Sequence, residues 1–209
     1  MKMIRKHWKL SVLALICCIA LAVFAGSVAR GAPGVSNTSF DMVRSGASIT
    51  AGCLPHAGAH VTINSIGPVE RMIVIPFGLP PNTDFDFFVI QVPNGPFGLS
   101  WYQGDIETNS AGSGIAEFIG RFSIETFIVA PPPSQPAPVV HPADAASNPP
   151  TAPVHTYHLG LWFNSPVDAA AAHCSGATTP FNGDHTAGVQ ALSTRNFPDL
   201  NGPLRKLTP

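Results

Sequence analysis

Apolar residues in this chain fall into short runs punctuated by Gly, Pro and Asn, and the clearest series lies between Met72 and Phe122. Met72-Ile-Val-Ile-Pro-Phe77 is bounded by Gly78 and Pro80-Pro81-Asn82. Asp84–Val92 follows, with Phe85, Phe87 and Val89 on one face and Phe88, Ile90 and Val92 on the other. Leu99–Glu107 and the alternating run Ile115–Phe122 complete the series. Such runs, rich in β-branched and aromatic residues and separated by turn formers, predict antiparallel strands joined by short loops. Asp84–Val92 is apolar on both faces, which predicts a covered position rather than a sheet edge. Ile115–Phe122 sets Ala116, Phe118 and Phe122 against Glu117, Ile119 and Arg121, the pattern of a strand with one wet side.

The flanking regions extend this picture. His60–Ser65 alternates and is expected as the first strand, with Glu70–Phe77 as the second. Thr156–Phe163 carries Tyr157, Leu159, Leu161 and Phe163 on one face and His158, Gly160 and Trp162 on the other. Phe127–Val129 and Gly188–Leu192 are shorter strand candidates. Ser165–Ala172 predicts a helix of one or two turns: Ser165 caps, Pro166 suits the first position, Asp168 favours the first turn and alanines fill the rest. Arg30–Ile49 lacks usable periodicity and is expected as a flexible leader; it contains a formal glycosylation sequon, Asn37-Thr38-Ser39. Pro131–Pro153 holds nine prolines, which deny the backbone its donors and predict an extended loop. The remainder after Pro153 has too little apolar material for a core of its own. The expectation is therefore one all-β domain over 50–209, an antiparallel β-sandwich with a proline-rich loop at 131–153 and one short helix.

The segment Gly78-Leu-Pro-Pro-Asn-Thr-Asp-Phe85 resembles the corner that leads into a late strand of immunoglobulin-like and fibronectin-like sandwiches. There a Leu, a Pro and a Thr precede an inward aromatic. Phe85 stands where that family has a tyrosine, so the hydroxyl that bonds back to the backbone is missing. The resemblance implies a fold class, not an activity.

The N-terminus changes the picture of where the protein works. Residues 1–29 have a basic start, an apolar run from Leu10 to Ala25 and a small-residue exit at Ser27-Val28-Ala29, the three parts of a secretory signal. Cleavage is expected after Ala29, with Ala25 as second choice. The plainer alternative is an uncleaved anchor, but the run is short of the roughly 20 residues that span a bilayer. Of the 11 basic residues four, Lys2, Arg5, Lys6 and Lys9, lie within residues 1–29, which hold no acid, leaving seven against 12 acids in the rest of the chain. A mildly acidic body without a basic cluster argues against nucleic acid as a partner. Cys53 and Cys174 remain beyond the signal, and export to an oxidising compartment predicts one disulfide between them. The signal and the tail Asn182-Gly-Asp-His…Asn201-Gly-Pro-Leu204 make the chain similar to small uncharacterised exported bacterial proteins, which implies no activity.

Candidate chemistry is sparse. His56, His60, His141, His155, His158, His173 and His185 are scattered, with neither Cys-x-x-Cys nor His-Glu-x-x-His, and are expected as surface or hydrogen-bonded imidazoles with no metal or cofactor implied. No Gly-x-Ser-x-Gly occurs; a Ser-His-Asp triad is spatial, and no spacing points to one. Asp84 and Asp86 share a strand face, as do Asp105 and Glu107. The strand Leu99–Glu107 sets Trp101, Gln103, Asp105 and Glu107 on one face by alternation. An aromatic plane followed by planar polar groups suits sugar binding, the ring against sugar carbons and the polar groups on hydroxyls. The plainer expectation is that Trp101 packs in the core. The sequence thus points to an exported, non-enzymatic structural or binding module of the extracellular or envelope space. Polysaccharide or another extracellular protein is its candidate partner. A carbohydrate-binding module using the Trp101 face is the alternative, and a secreted hydrolase comes third.

Overall fold

The computed structural model describes residues 37–123, 155–176, 178–179 and 186–208. The expected signal at 1–29, the Phe127–Val129 strand and the proline-rich loop 131–153 lie outside the described residues. Eight strands follow in chain order: β1 Asn37–Arg44, β2 Gly58–Ile66, β3 Val69–Phe77, β4 Asp84–Ile90, β5 Ser100–Glu107, β6 Ala116–Gly120, β7 His158–Phe163 and β8 Gln190–Ser193. Two short helices, α1 Gly46–Thr50 and α2 Pro166–Ala171, and two 3-10 turns near the C-terminus complete the described elements. Every ladder is antiparallel. The strands form one sheet in the order β5-β4-β7-β8-β1-β2-β3-β6. The fold is all-β, as expected. Its hydrogen bonding runs through one continuous sheet, where a sandwich has two.

Side-chain packing shows how that sheet curls. Phe87 of β4 stacks on Phe118 of β6 with ring centroids 5.1 Å apart, although these strands stand near opposite ends of the order. The inner face therefore meets itself, and the sheet is nearly barrel-shaped. Inside it lie Phe40 and Met42 of β1, Val61 and Ile63 of β2, Met72 and Val74 of β3, Phe85, Phe87 and Val89 of β4, and Leu159, Leu161 and Phe163 of β7. These are the alternate residues of each strand, as the period of two requires. The β2–β3 hairpin closes through Gly67-Pro68, with Ile66 opposite Val69 and Gly67 at φ 69°. Primed hairpin turns need that left-handed conformation.

The stretch 37–49, expected as part of a flexible leader, is instead β1 and α1. Phe40 and Met42 face the core while Ser39 and Asp41 face outward. The alternation was present but diluted by Asn, Thr and Ser. The His60–Ser65 strand is consequently the second in the chain. β1 is an internal strand, flanked by β8 and β2, and β7 and β8 separate it from β4.

Two caps tie the helices down. Ser165 Oγ accepts the Asp168 amide at 3.1 Å and donates to Asp168 Oδ2 at 2.7 Å. Ser45 caps α1, and Ser48 Oγ donates to Ala191 O at 2.9 Å, docking the helix on β8. Cys53, just after α1, and Cys174, just after α2, form the expected disulfide, with Cα atoms 5.4 Å apart. At the corner into β4, Leu79 and Phe85 are buried. Thr108, just after β5, donates its hydroxyl to Pro80 O at 2.6 Å, which ties the corner to the neighbouring strand.

Candidate functional site

The β4–β5 ladder decides which side chains share a surface. Phe85 lies opposite Ile106, Asp86 opposite Asp105, Phe87 opposite Gly104, and then the register slips so that Phe88 lies opposite Tyr102 and Val89 opposite Trp101. Gln103 is the extra residue of a β-bulge, and a bulge reverses the alternation on its far side. Gly104 permits it: its φ is 150°, and a Cβ there would stand 3.0 Å from the Phe118 ring.

The bulge breaks up the face expected from alternation. Asp105 and Glu107 stay together on the outer face. Trp101 goes to the side that carries Gly104 and Ile106, and Gln103 sits half-buried at the bulge. Trp101 is 37% exposed, so it is not the core residue of the plainer expectation; on an edge strand it stays at the rim. Tyr102 takes the place assigned to Trp101. It is 46% exposed and shares the outer face with Asp84, Asp86, Asp105 and Glu107. A glycine inside a strand pattern, Gly104, was the signal for the bulge.

This face is internally braced. Tyr102 donates its hydroxyl to Asp105 Oδ1 at 2.5 Å, and its ring lies 5.5 Å from that of Phe88. Phe88 belongs to a second apolar cluster, with Ile90, Trp162 and Phe97, on the outer side of the sheet. Asp84 accepts from the Phe85 amide at 3.0 Å and from Asn164 Nδ2 at 3.3 Å. Burial, then the charges of Asp105 and Asp84 and a hydrogen bond with Asp105, push the Asp86 carboxyl up to about 6. Burial and the Asp105 charge also raise Asp84. Burial and the bond to Asp105 raise the Tyr102 hydroxyl, which keeps its proton. The result is a fixed ring beside carboxylates that accept hydrogen bonds, with the Asp86 carboxyl keeping its proton at mildly acidic pH.

The histidines divide. His158 is buried; its Nδ1 meets Thr194 Oγ1 at 2.9 Å and its Nε2 donates to Asp199 O at 3.0 Å. His155 Nε2 donates to Leu204 O at 2.9 Å. Burial lowers both below the ordinary histidine range, so both are neutral structural imidazoles near neutral pH. Among the described residues no three or more His, Cys, Asp or Glu side chains are grouped to hold a metal ion.

A second constellation has no motif in the sequence. His60 Nδ1 lies 2.8 Å from Asp41 Oδ1, and its Nε2 lies 2.9 Å from Ser39 Oγ. Register alone assembles it: Ser39 and Asp41 are two apart on β1, and His60 pairs with Asp41 from β2. Neither the known protein families nor the curated proteins yield a match to this chain.

Proposed function

We propose that the protein is an exported binding module of the extracellular or envelope space, and that the outer face of β4–β5 takes a hydroxyl-rich polysaccharide. The observation that carries this is the grouping of an exposed Tyr102 ring, braced from behind by Phe88, with Asp84, Asp105 and Glu107 on the outer face of the β4–β5 pair at the sheet's edge. An aromatic plane covers apolar sugar carbons, and carboxylates accept from sugar hydroxyls. Export rests on the basic, apolar and small-residue order of 1–29. An immunoglobulin-like relation rests on the corner before β4, with inward Leu79 and Phe85; the single curled ladder gives it no further support.

Pull-down with insoluble cellulose, chitin and mannan, with thermal melts alongside, tests the binding. Tyr102→Ala is expected to lose retention on the bound polysaccharide while melting close to wild type, and Trp101→Ala to keep it. Full retention by Tyr102→Ala would remove the β4–β5 face as the binding surface. Mass spectrometry of secreted material is expected to find an N-terminus at Arg30; a membrane-bound product carrying Met1 would replace export with anchoring.

A further inference from the structure

We infer that Ser39, His60 and Asp41 form a nucleophilic site that hydrolyses esters with an apolar acyl group. It shares no residue with the β4–β5 face and stands or falls separately from it. The hydrogen bonds assign the roles. An ionised Asp41 only accepts, so the 2.8 Å contact makes His60 Nδ1 the donor. The neutral ring then offers the Nε2 lone pair, and the Ser39 hydroxyl donates to it across 2.9 Å. This is the order nucleophile, base and orienting carboxylate that acyl transfer uses. All three lie on strands internal to the sheet, which fixes their backbones.

The surroundings supply two further parts. The Ser45 amide donates to Ala191 O at 3.0 Å, and Val43 pairs with Ser193. Odd-numbered residues of β1 therefore direct their backbone groups toward β8. Asp41 O accordingly accepts from Asn196 Nδ2 at 3.2 Å. β8 ends at Ser193, opposite Val43, so the Ser39 amide faces the same side past the strand's end. It is the backbone donor on the nucleophile itself, suited to the oxyanion. Across β2, Ile75 lies opposite His60, Ile73 opposite Thr62 and Phe77 opposite Gly58. Ile75 and Phe77 are exposed, which gives an acyl chain an apolar strip beside the base.

The reaction balances with water alone. Ser39 Oγ attacks the ester carbonyl carbon as its proton passes to His60 Nε2. The tetrahedral intermediate collapses, the carbon–alkoxy bond breaks, and the alcohol leaves with that proton. Water then attacks the acyl-serine and gives its proton to His60, which returns it to Ser39 Oγ as the carboxylic acid departs. The His60 and Asp41 side chains are 51% and 71% exposed, so substrate has direct access and the expected acceleration is that of positioned acid–base chemistry, on the order of 10²–10⁴-fold.

The test uses the full exported chain, a fluorophosphonate probe with peptide mapping, and p-nitrophenyl butyrate hydrolysis at pH 8. A covalent adduct on Ser39 is expected. Ser39→Ala should abolish both adduct and hydrolysis, and His60→Gln should lower both by about 10²-fold or more. Asp41→Asn, which permits the wrong imidazole tautomer, should lower kcat with KM held and alter the pH profile. Thermal melts of the three variants should match wild type, because none of these side chains packs in the core. Wild-type protein with no adduct on Ser39 would overturn the inference, as would hydrolysis that persists in Ser39→Ala.

Discussion

Asp86→Asn isolates the most perturbed carboxyl in the described fold. Asp86 is 3% exposed, and its Oδ2 has no hydrogen-bond partner among the described residues. Its carboxyl is pushed from the ordinary 3.8 to about 6 by burial first, then by Asp105 and Asp84. The folded state thus holds this proton more tightly than the unfolded chain. Between those two pH values the folded protein binds more protons, so stability falls as pH rises. The contribution is full below the unfolded value and gone above the folded one. Each tenfold in proton affinity is about 1.4 kcal/mol, so ionising Asp86 in place costs about 3 kcal/mol. Asn has nearly the same shape, and its amide can donate to Asp105 as the protonated acid does, but it never ionises. The variant should match wild type near pH 4 and exceed it by up to about 3 kcal/mol at pH 8. Urea unfolding of both proteins from pH 4 to 8 measures this, and the difference cancels every group the two share. For a domain of this size the gain corresponds to a melting shift of roughly 6–12 °C. A difference that stays flat with pH, or that favours wild type at pH 8, would refute the assignment.

Three other outcomes are expected. Reducing Cys53–Cys174, which spans 121 residues, should cost about 4–5 kcal/mol through the unfolded chain's regained freedom; unfolding with and without reductant checks it, and equal midpoints would count against it. Gly104→Ala should destabilise by about 1–3 kcal/mol, because the bulge needs φ 150° and the new Cβ meets Phe118; a melt identical to wild type would mean that the bulge relaxes freely. Deleting residues 154–209 removes β7 and β8, which join β4 to β1. The remainder should show no cooperative melt, and a sharp transition at the wild-type temperature would mean that it folds independently.

Local pattern was enough for most strands. β4 and β7, buried along nearly their whole length, announced themselves as short apolar runs, and β6 by its half-wet alternation. The Ser165 cap and Pro166 likewise located α2, because capping is a local hydrogen bond. The pairing of Cys53 with Cys174 was legible from the count, since only these two cysteines lie outside the apolar N-terminal run. β1 was harder: Phe40 and Met42 carry its inner face, but a strand internal to the sheet owes its stability to neighbours on both sides, here β2 and β8, which no window around residue 40 contains.

Register was the step that only tertiary structure decided. From alternation, Trp101 belonged with Asp105 and Glu107. One extra residue at Gln103 sent it to the other side and brought Tyr102 forward, since a one-residue slip inverts every side chain beyond it. The same dependence built the Ser39–His60–Asp41 chain, whose members are ordinary residues until Asp41 and His60 fall opposite one another. The closeness of Asp86 to Asp105, and with it the raised carboxyl, has the same origin. Sequence along one strand sets which residues alternate; hydrogen bonding between strands sets which of them meet, and in this protein the candidate chemistry lies in the meeting.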